Sequence, residues 1–402
     1  MKTQRPLNIV FLTSSYPRNA ADYASGFLRD LAEHLSQRGI HIHVLVPSDE
    51  KRKNNVENNV TVHRFQYLPV RFQRLAYGSG ILPNLRTNPW LWFQVPFFVL
   101  SMACALFRLV RKEHPDLIHA QWIFPQGIIA VVVKYLCKVP VITTAHGTDS
   151  FALQGRLINW LKRFTVANSD AWTSNTEATA NAIGQTTRLP RPHVIPMGVD
   201  VKLFSSGARI KLRRELSESA SLVLFIGRLI AKKGCYDLLE AFSLLPDELR
   251  ARSHLWIVGY GEEHSKLLAY AKHLDISNNV RFWGPVKNDR LPDFYAAADL
   301  VVAPSSDAEG QGVVLLEAFA AGTCVLATRA GGIKDVVTDG LTGILVEPRN
   351  SKQLCAAMAQ LLTDEPLRMR LAEAASCQVK EYSWETIAEK FAILYRTLCR
   401  SS

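Results

Sequence analysis

The stretch from Asp299 to Gly322, DLVVAPSSDAEGQGVVLLEAFAAG, passes from strand to polar loop to helix within a few residues, and it most narrows what this chain can become. The run LVVA is apolar and β-branched without alternation, and Pro304 ends it. A strand buried on both faces of a parallel sheet has this composition. After Gly312 the pattern turns helical. Strand, loop and helix in that order are the repeating piece of parallel α/β sheets.

The same succession recurs along the chain. LNIVFLT (7–13) reads as an opening strand, SSYPRNAADYASG as a loop, and FLRDLAEHLSQRG as a helix stopped at Gly39. IHIHVLVP, DLIHAQW, PVITTAH, DAWTSNT and HVIPMGVD follow as strands, with IIAVVVKYLCK as a helix among them. Around 202–221 the composition turns polar and charged, which fits a connection between domains. Beyond it SLVLFIGRL, HLWIVGYG, VRFWGPV, TCVLAT and GILVEP read as further strands, with helices between several of them. With 402 residues the chain exceeds one ordinary core. The expectation is α/β: two doubly wound Rossmann-like domains facing across a cleft, at 1–205 and 206–383, ligands lying at the carboxyl ends of the strands. SWETIAEKFAILYRTL reads as a terminal amphipathic helix, 384–402.

Net charge is +11, and its distribution is uneven. Residues 1–205 carry 23 Lys and Arg against 12 Asp and Glu, whereas the remainder has 24 of each. A basic half suits nucleic acid, an anionic membrane or a phosphorylated substrate. No zinc-finger spacing or aromatic RNA-binding signature accompanies it, so nucleic acid is not expected. Seven scattered cysteines without a C-x-x-C pair argue against a disulfide framework or structural zinc, and for a cytoplasmic setting. The N-terminal apolar run is too short for a signal peptide. Pro89 to Phe107 holds 19 residues without a charge. Pro96 and Gln94 interrupt it, so a buried or half-buried helix is preferred to a membrane span. Trp90, Trp92, Phe93 and Phe97, preceded by Arg71, Arg74 and Arg86, also suit a surface resting peripherally on an anionic membrane.

Candidate chemistry gathers at loops. Gly310 and Gly312 let backbone approach a ligand, and the amides of Gly312, Val313 and Val314 would point from a helix start where an anion is favoured. Glu309 and Glu317 flank that loop eight positions apart, and both can face one ligand. The plain alternative is one Glu that favours the dipole and another on the surface. Arg228, after Gly227, and Lys233 lie five residues apart at a strand end and the next helix start, where two cations can clamp a diphosphate; solvated surface charge is the alternative. His146 closes the strand PVITTAH, where ligands are lined. Gly26 would let the first loop near a phosphate, or it is a turn glycine; there is no G-x-G-x-x-G. Asp307-Ala308-Glu309 is too little for a metal, and none is expected.

EGQGVVLLEAFAAG closely resembles the E-x7-E signature of the retaining nucleotide-sugar glycosyltransferases of family 4, with Gln311 where that family usually has Phe. GRLIAKKG resembles its G-R-x4-K-G, HGTD its histidine segment beside the donor sugar, and IPMGVD its I-P-N-G-V-D, with Met197 in place of Asn. Gly284 and Val286 match the segment that contacts the base. The resemblance implies a two-domain GT-B fold with the last helix packed back on the first domain. It implies sugar transfer from a UDP- or GDP-sugar donor to a glycan, glycolipid or lipid-linked acceptor hydroxyl, as in exopolysaccharide or lipopolysaccharide assembly. No cofactor or metal is implied. Arg228 and Lys233 would steady the departing diphosphate, Glu317 hold the ribose, Glu309 orient the sugar, and His146 meet it. A nucleotide-sugar epimerase of the same fold, or a catalytically silent partner of a polysaccharide complex, are the alternatives.

Overall fold

The computed structural model describes residues 5–18, 25–48, 55–76, 78, 80–184, 189–208, 212–213 and 220–401. Parts of the first loop (19–24) and of the expected connector (209–211 and 214–219) lie outside them. The chain forms two compact units, Met1–Pro196 with Ile387–Ser402, and Met197–Thr386.

The first unit holds eight strands: β1 (Asn8–Leu12), β2 (His41–Pro47), β3 (Asn55–Glu57), β4 (Val60–Phe65), β5 (Leu117–Gln121), β6 (Val141–Ala145), β7 (Ala171–Ser174) and β8 (His193–Val194). Their order is β3-β4-β2-β1-β5-β6-β7-β8, and only the β3–β4 pair is antiparallel. Every residue of β5, β6 and β7 is buried, as a parallel sheet covered on both faces requires.

The second unit holds β9 (Ser221–Ile226), β10 (Ser253–Val258), β11 (Val280–Gly284), β12 (Leu300–Ala303), β13 (Cys324–Thr328) and β14 (Ile344–Val346), all parallel, ordered β11-β10-β9-β12-β13-β14. Side chains alternate across this sheet. Leu222 and Leu224 join one core with Trp256 and Phe294, while Val223 and Phe225 join a second core with Leu239 and Phe242. Both units are therefore Rossmann-like. In each, strand order reverses at the first strand, β1 between β2 and β5 and β9 between β10 and β12. In the second unit the helices that follow β9 and β12 pack on opposite faces of the sheet, and ligands of such sheets lie at the carboxyl ends of the strands beside that switch.

The charge-free stretch becomes a 3-10 turn, Pro89–Phe93, followed by the helix Gln94–Glu113. By length and composition it could cross a membrane. Here Phe98, Met102, Leu106, Leu109 and Val110 pack one face into the core under β1 and β5, while Trp90, Trp92, Phe93, Phe97 and Leu100 are exposed.

The division between units falls at Pro196, nine residues before the expected break between 205 and 206. Met197 and its neighbours are held by the second unit: the Val199 amide donates to the Tyr382 carbonyl at 2.9 Å, and Gln311 binds the Met197 backbone. Thus HVIPMGVD, expected to complete the first domain, splits between the two. The last helix, Trp384–Ser401, joins the first unit from Ile387 onward, where Phe391 and Tyr395 are fully buried beside His119.

Candidate active site

In the second unit the loops leaving β9 and β12 lie against each other. The Ser306 amide donates to the Lys232 carbonyl at 2.9 Å. Gly234 makes this approach possible: its φ is +71°, and a Cβ there would sit 1.8 Å from the Pro304 carbonyl oxygen. Gly331 does the same on the other side of the loop, where a Cβ would stand 2.3 Å from the Glu309 carbonyl oxygen. The Gly332 amide donates to that oxygen at 2.9 Å. The loop that carries Glu309 is therefore held on both sides, at Pro304 and Ser306 by the loop after β9 and at Glu309 by the loop after β13.

Side chains follow. Lys233 Nζ donates to Glu309 Oε2 at 2.7 Å, and both groups are half-buried. Burial pushes the Glu309 carboxyl up, but the charge and hydrogen bond of Lys233, the charge of Lys232 and the Gly310 amide outweigh it and hold the group below its ordinary value. Glu309 is an anion at neutral pH. An ammonium has three N–H donors, so Lys233 keeps two after serving Glu309. Arg228 is exposed beyond the end of β9, after Gly227, and among the described residues it forms no ion pair. Lys232, the neighbour of Lys233, belongs to the same cluster: burial lowers its pKa, Glu309 raises it, and Lys233 and Arg228 lower it again. Three cations and two carboxylates, Glu309 and Asp307, thus share the crevice end of β9 and β12, still an excess of positive charge that suits a polyanion.

The helix Val313–Ala320 starts from Gly312 in the left-handed conformation, with no side chain capping it and no acidic residue in its first turn. The amides of Val313 and Val314 remain without a side-chain cap. One turn in, Glu317 takes a different partner from Glu309. Tyr295, fully buried, donates its hydroxyl to Glu317 Oε2. Burial raises the Glu317 carboxyl to about 7 against the lowering effect of Tyr295. The two carboxylates are therefore not a symmetric pair: one is a paired anion, the other is half-protonated near neutral pH.

Gln311, one of the two departures from the family pattern, holds the backbone of the other, Met197. It is 3% exposed; its Oε1 accepts from the Met197 amide at 2.7 Å and its Nε2 donates to the Met197 carbonyl at 3.1 Å. Residues 114 positions apart are joined as if by a short strand ladder. Gly284 ends β11 with φ +69° and its carbonyl accepts from the Gly259 amide at 2.9 Å; Val286 packs on the core beneath. These two residues sit at the sheet edge beyond β10, away from the β9–β12 loops.

In the first unit, His146 follows β6. Asp149 positions it: Oδ1 accepts from the His146 amide at 3.1 Å and Oδ2 from the Ile123 amide at 2.9 Å. The imidazole lies between Phe27, which follows Gly26 at the start of the first helix, and Trp122, with ring centroids 5.1 Å away in each case. Its Nε2 meets Gln121 Oε1 at 2.9 Å, and Nδ1 is buried without a partner among the described residues. Burial lowers its pKa to about 3, so the ring is neutral. His119, in β5, is fully buried, with Nδ1 2.6 Å from the Tyr395 hydroxyl and Nε2 2.6 Å from Thr144 Oγ1. Lys232, Tyr295, Gln121 and Asp149 are the residues that motif reading missed; only Asp149, within HGTD, carried a local signal.

Comparison with known proteins completes the picture. A family model described as Glycosyltransferase Family 4 matches residues 24–203, and one described as Glycosyl transferases group 1 matches residues 209–377. A D-inositol 3-phosphate glycosyltransferase of Corynebacterium urealyticum is 37% identical over 402 residues, covering 92% of this chain and 90% of its own. The solved structure of sucrose-phosphate synthase from Thermosynechococcus elongatus superposes with a TM-score of 0.81 at 22% identity, covering 98% of this chain and 100% of its own. That of HepE from Anabaena, in complex with UDP-glucose, gives 0.75 at 20% identity, covering 97% and 100%. The two structures share the fold.

Proposed function

The chain belongs to the family 4 glycosyltransferases, enzymes of the GT-B fold, and we propose that it transfers a sugar, with retention at the anomeric carbon, from a UDP- or GDP-sugar to a hydroxyl of a glycan, glycolipid or lipid-linked acceptor in cell-surface polysaccharide biosynthesis. The observation that carries this reading is the cluster of Arg228, Lys232, Lys233 and Glu309 where β9 and β12 diverge. A nucleoside diphosphate is the ligand whose charge such a cluster matches.

On this reading the bond between the anomeric carbon and the β-phosphate oxygen breaks, and the electron pair leaves with the diphosphate. Arg228, the two free donors of Lys233 and the amides of Val313 and Val314 stabilise that charge, which grows in the transition state. Glu309 holds Lys233 in place and accepts from a donor-sugar hydroxyl. Glu317 accepts from the ribose, and the edge formed by Gly284 and Val286 receives the base. The acceptor oxygen attacks from the side the diphosphate leaves, its proton passing to a phosphate oxygen. His146 contributes a neutral hydrogen-bonding group to the sugar. No metal or cofactor is needed, because cations of the chain do that work. We place the enzyme in the cytoplasm, peripherally on the inner face of the membrane, through Trp90, Trp92 and Phe93 beside Arg71, Arg74 and Arg86. Liposome co-sedimentation tests this part: binding to anionic but not neutral vesicles at low salt supports it, and indifference to both refutes it.

A small phosphorylated acceptor is the second reading. It is favoured by the relative named for inositol 3-phosphate and by the basic first half of the chain. Product analysis with a panel of UDP- and GDP-sugars against lipid-linked glycans and phosphorylated polyols separates the two readings. Hydrolysis or epimerisation alone, without any transfer, argues against both.

A further inference from the structure

A second cluster of chemically capable side chains lies in the first unit, outside everything assigned above. The register that pairs β2 with β4 sets Leu45 opposite His63, so His43, two residues before Leu45, shares the face of His63. That face is covered by the helix Gln94–Glu113, whose last residue is Glu113. Because the helix runs antiparallel to the strands, its end meets the strands toward their amino ends, opposite the crevice. There His43 Nδ1 stands 2.9 Å from His63 Nε2, the rings stacked with centroids 5.2 Å apart. Ligand atoms of His43, His63 and Glu113 all lie within 4.8 Å of one another, and all three residues are half-buried.

We propose that His43, His63 and Glu113 bind a divalent transition-metal ion of the zinc class. Two imidazoles and a carboxylate are a donor set suited to zinc, with water completing the shell. Two nitrogens each about 2.0–2.1 Å from one tetrahedral zinc stand roughly 3.3 Å apart. The His43–His63 separation of 2.9 Å therefore opens by a few tenths of an ångström when an ion enters, a small turn of the two rings. Lys112 Nζ donates to Glu113 Oε1 at 2.8 Å, so one carboxylate oxygen is held by the ammonium while the carboxylate as a whole stays within reach of the two histidines. An ion there ties β2, β4 and the helix together. It is a stabilising site, independent of the donor-site reading.

The test uses the full chain, stripped with chelator and titrated with zinc chloride. One tight equivalent by calorimetry and a rise in Tm of at least about 3 °C are expected, as for any ligand that binds only the folded state. Both should vanish in His43→Ala/His63→Ala, and Glu113→Gln should weaken zinc at least about tenfold. Equal zinc binding in the double variant, or none in the parent, overturns the proposal. Should the double variant fail to fold, X-ray absorption of the zinc-loaded parent decides: two imidazole nitrogens at one zinc support the site, and any other first shell contradicts it.

Discussion

The carboxylate of Glu309 takes its hydrogen bond from Lys233, 2.7 Å away, across two loops that leave the neighbouring strands β9 and β12. Neither group is a free reagent in the unliganded enzyme. The ion pair holds each in place before a donor arrives, so the ordering cost is met in folding rather than in binding.

Removing Glu309 leaves Lys233 without its ion-pair partner, and removing Lys233 leaves Glu309 with only Ser305 Oγ at 3.4 Å, the Gly310 amide and the charge of Lys232. Lys233→Ala and Glu309→Ala should each lower transfer by at least about a hundredfold while the protein remains folded. Because the two act as one unit, the double variant should be far less impaired than the product of the single effects. Steady-state kinetics on the three variants, with circular dichroism to confirm folding, checks this. Activity within a few-fold of the parent in either single variant would remove the pair from the mechanism.

Glu317 makes stability depend on pH. Its folded-state pKa, about 7, lies above the ordinary value of 4.5, because burial disfavours the anion. The sign follows: the raised pKa contributes stability that is fully present below about 4.5 and is lost as pH rises through about 7. Glu317→Gln removes the buried anion, so without ligand it should melt several degrees higher than the parent at pH 8 and nearly level with it at pH 4. It should also bind nucleotide more weakly at pH 8, since a carboxylate accepts ribose hydroxyls better than an amide. Melting curves at both pH values and nucleotide titration at pH 8 provide the comparison.

Gln311→Phe restores the residue usual in the family and should nonetheless destabilise the protein by about 1–3 kcal/mol, because the buried amide and carbonyl of Met197 both lose their partner. Denaturant unfolding measures this. Tolerance of Phe without loss would mean that the Gln311–Met197 clasp contributes nothing.

Gly234→Ala introduces a Cβ where the Pro304 carbonyl stands at 1.8 Å, on backbone with φ +71°. The two loops must separate. A loss of at least about 2 kcal/mol is expected, together with weaker nucleotide binding, because the separation also disturbs Lys233 and Glu309.

Much of this was legible in the chain because a parallel sheet covered on both faces leaves continuous apolar runs. Leu222–Phe225 and Leu300–Ala303 identified β9 and β12, and the loops after them carry the charged set. What escaped reading depended on partners far away in sequence. β3 escaped because Asn55–Glu57 is short and polar, and it pairs only with β4 at the sheet edge. Nothing local marks Gln311 as the partner of Met197, or Tyr295 as the partner of Glu317. Nothing local distinguishes Lys232 as a member of the charged set; only the fold brings its charge to bear on Glu309. The unit boundary was misjudged for the same reason: the connector's polarity is a local signal, whereas Met197 is claimed by a side chain 114 residues on.

The most direct measurement is the melting temperature of the parent and of Lys233→Ala against UDP-, GDP- and ADP-sugars without added magnesium. The account predicts that one UDP- or GDP-sugar stabilises the parent and leaves Lys233→Ala unmoved. Stabilisation of both proteins alike, or of neither by any donor, would contradict a metal-independent donor site built on Lys233 and Glu309.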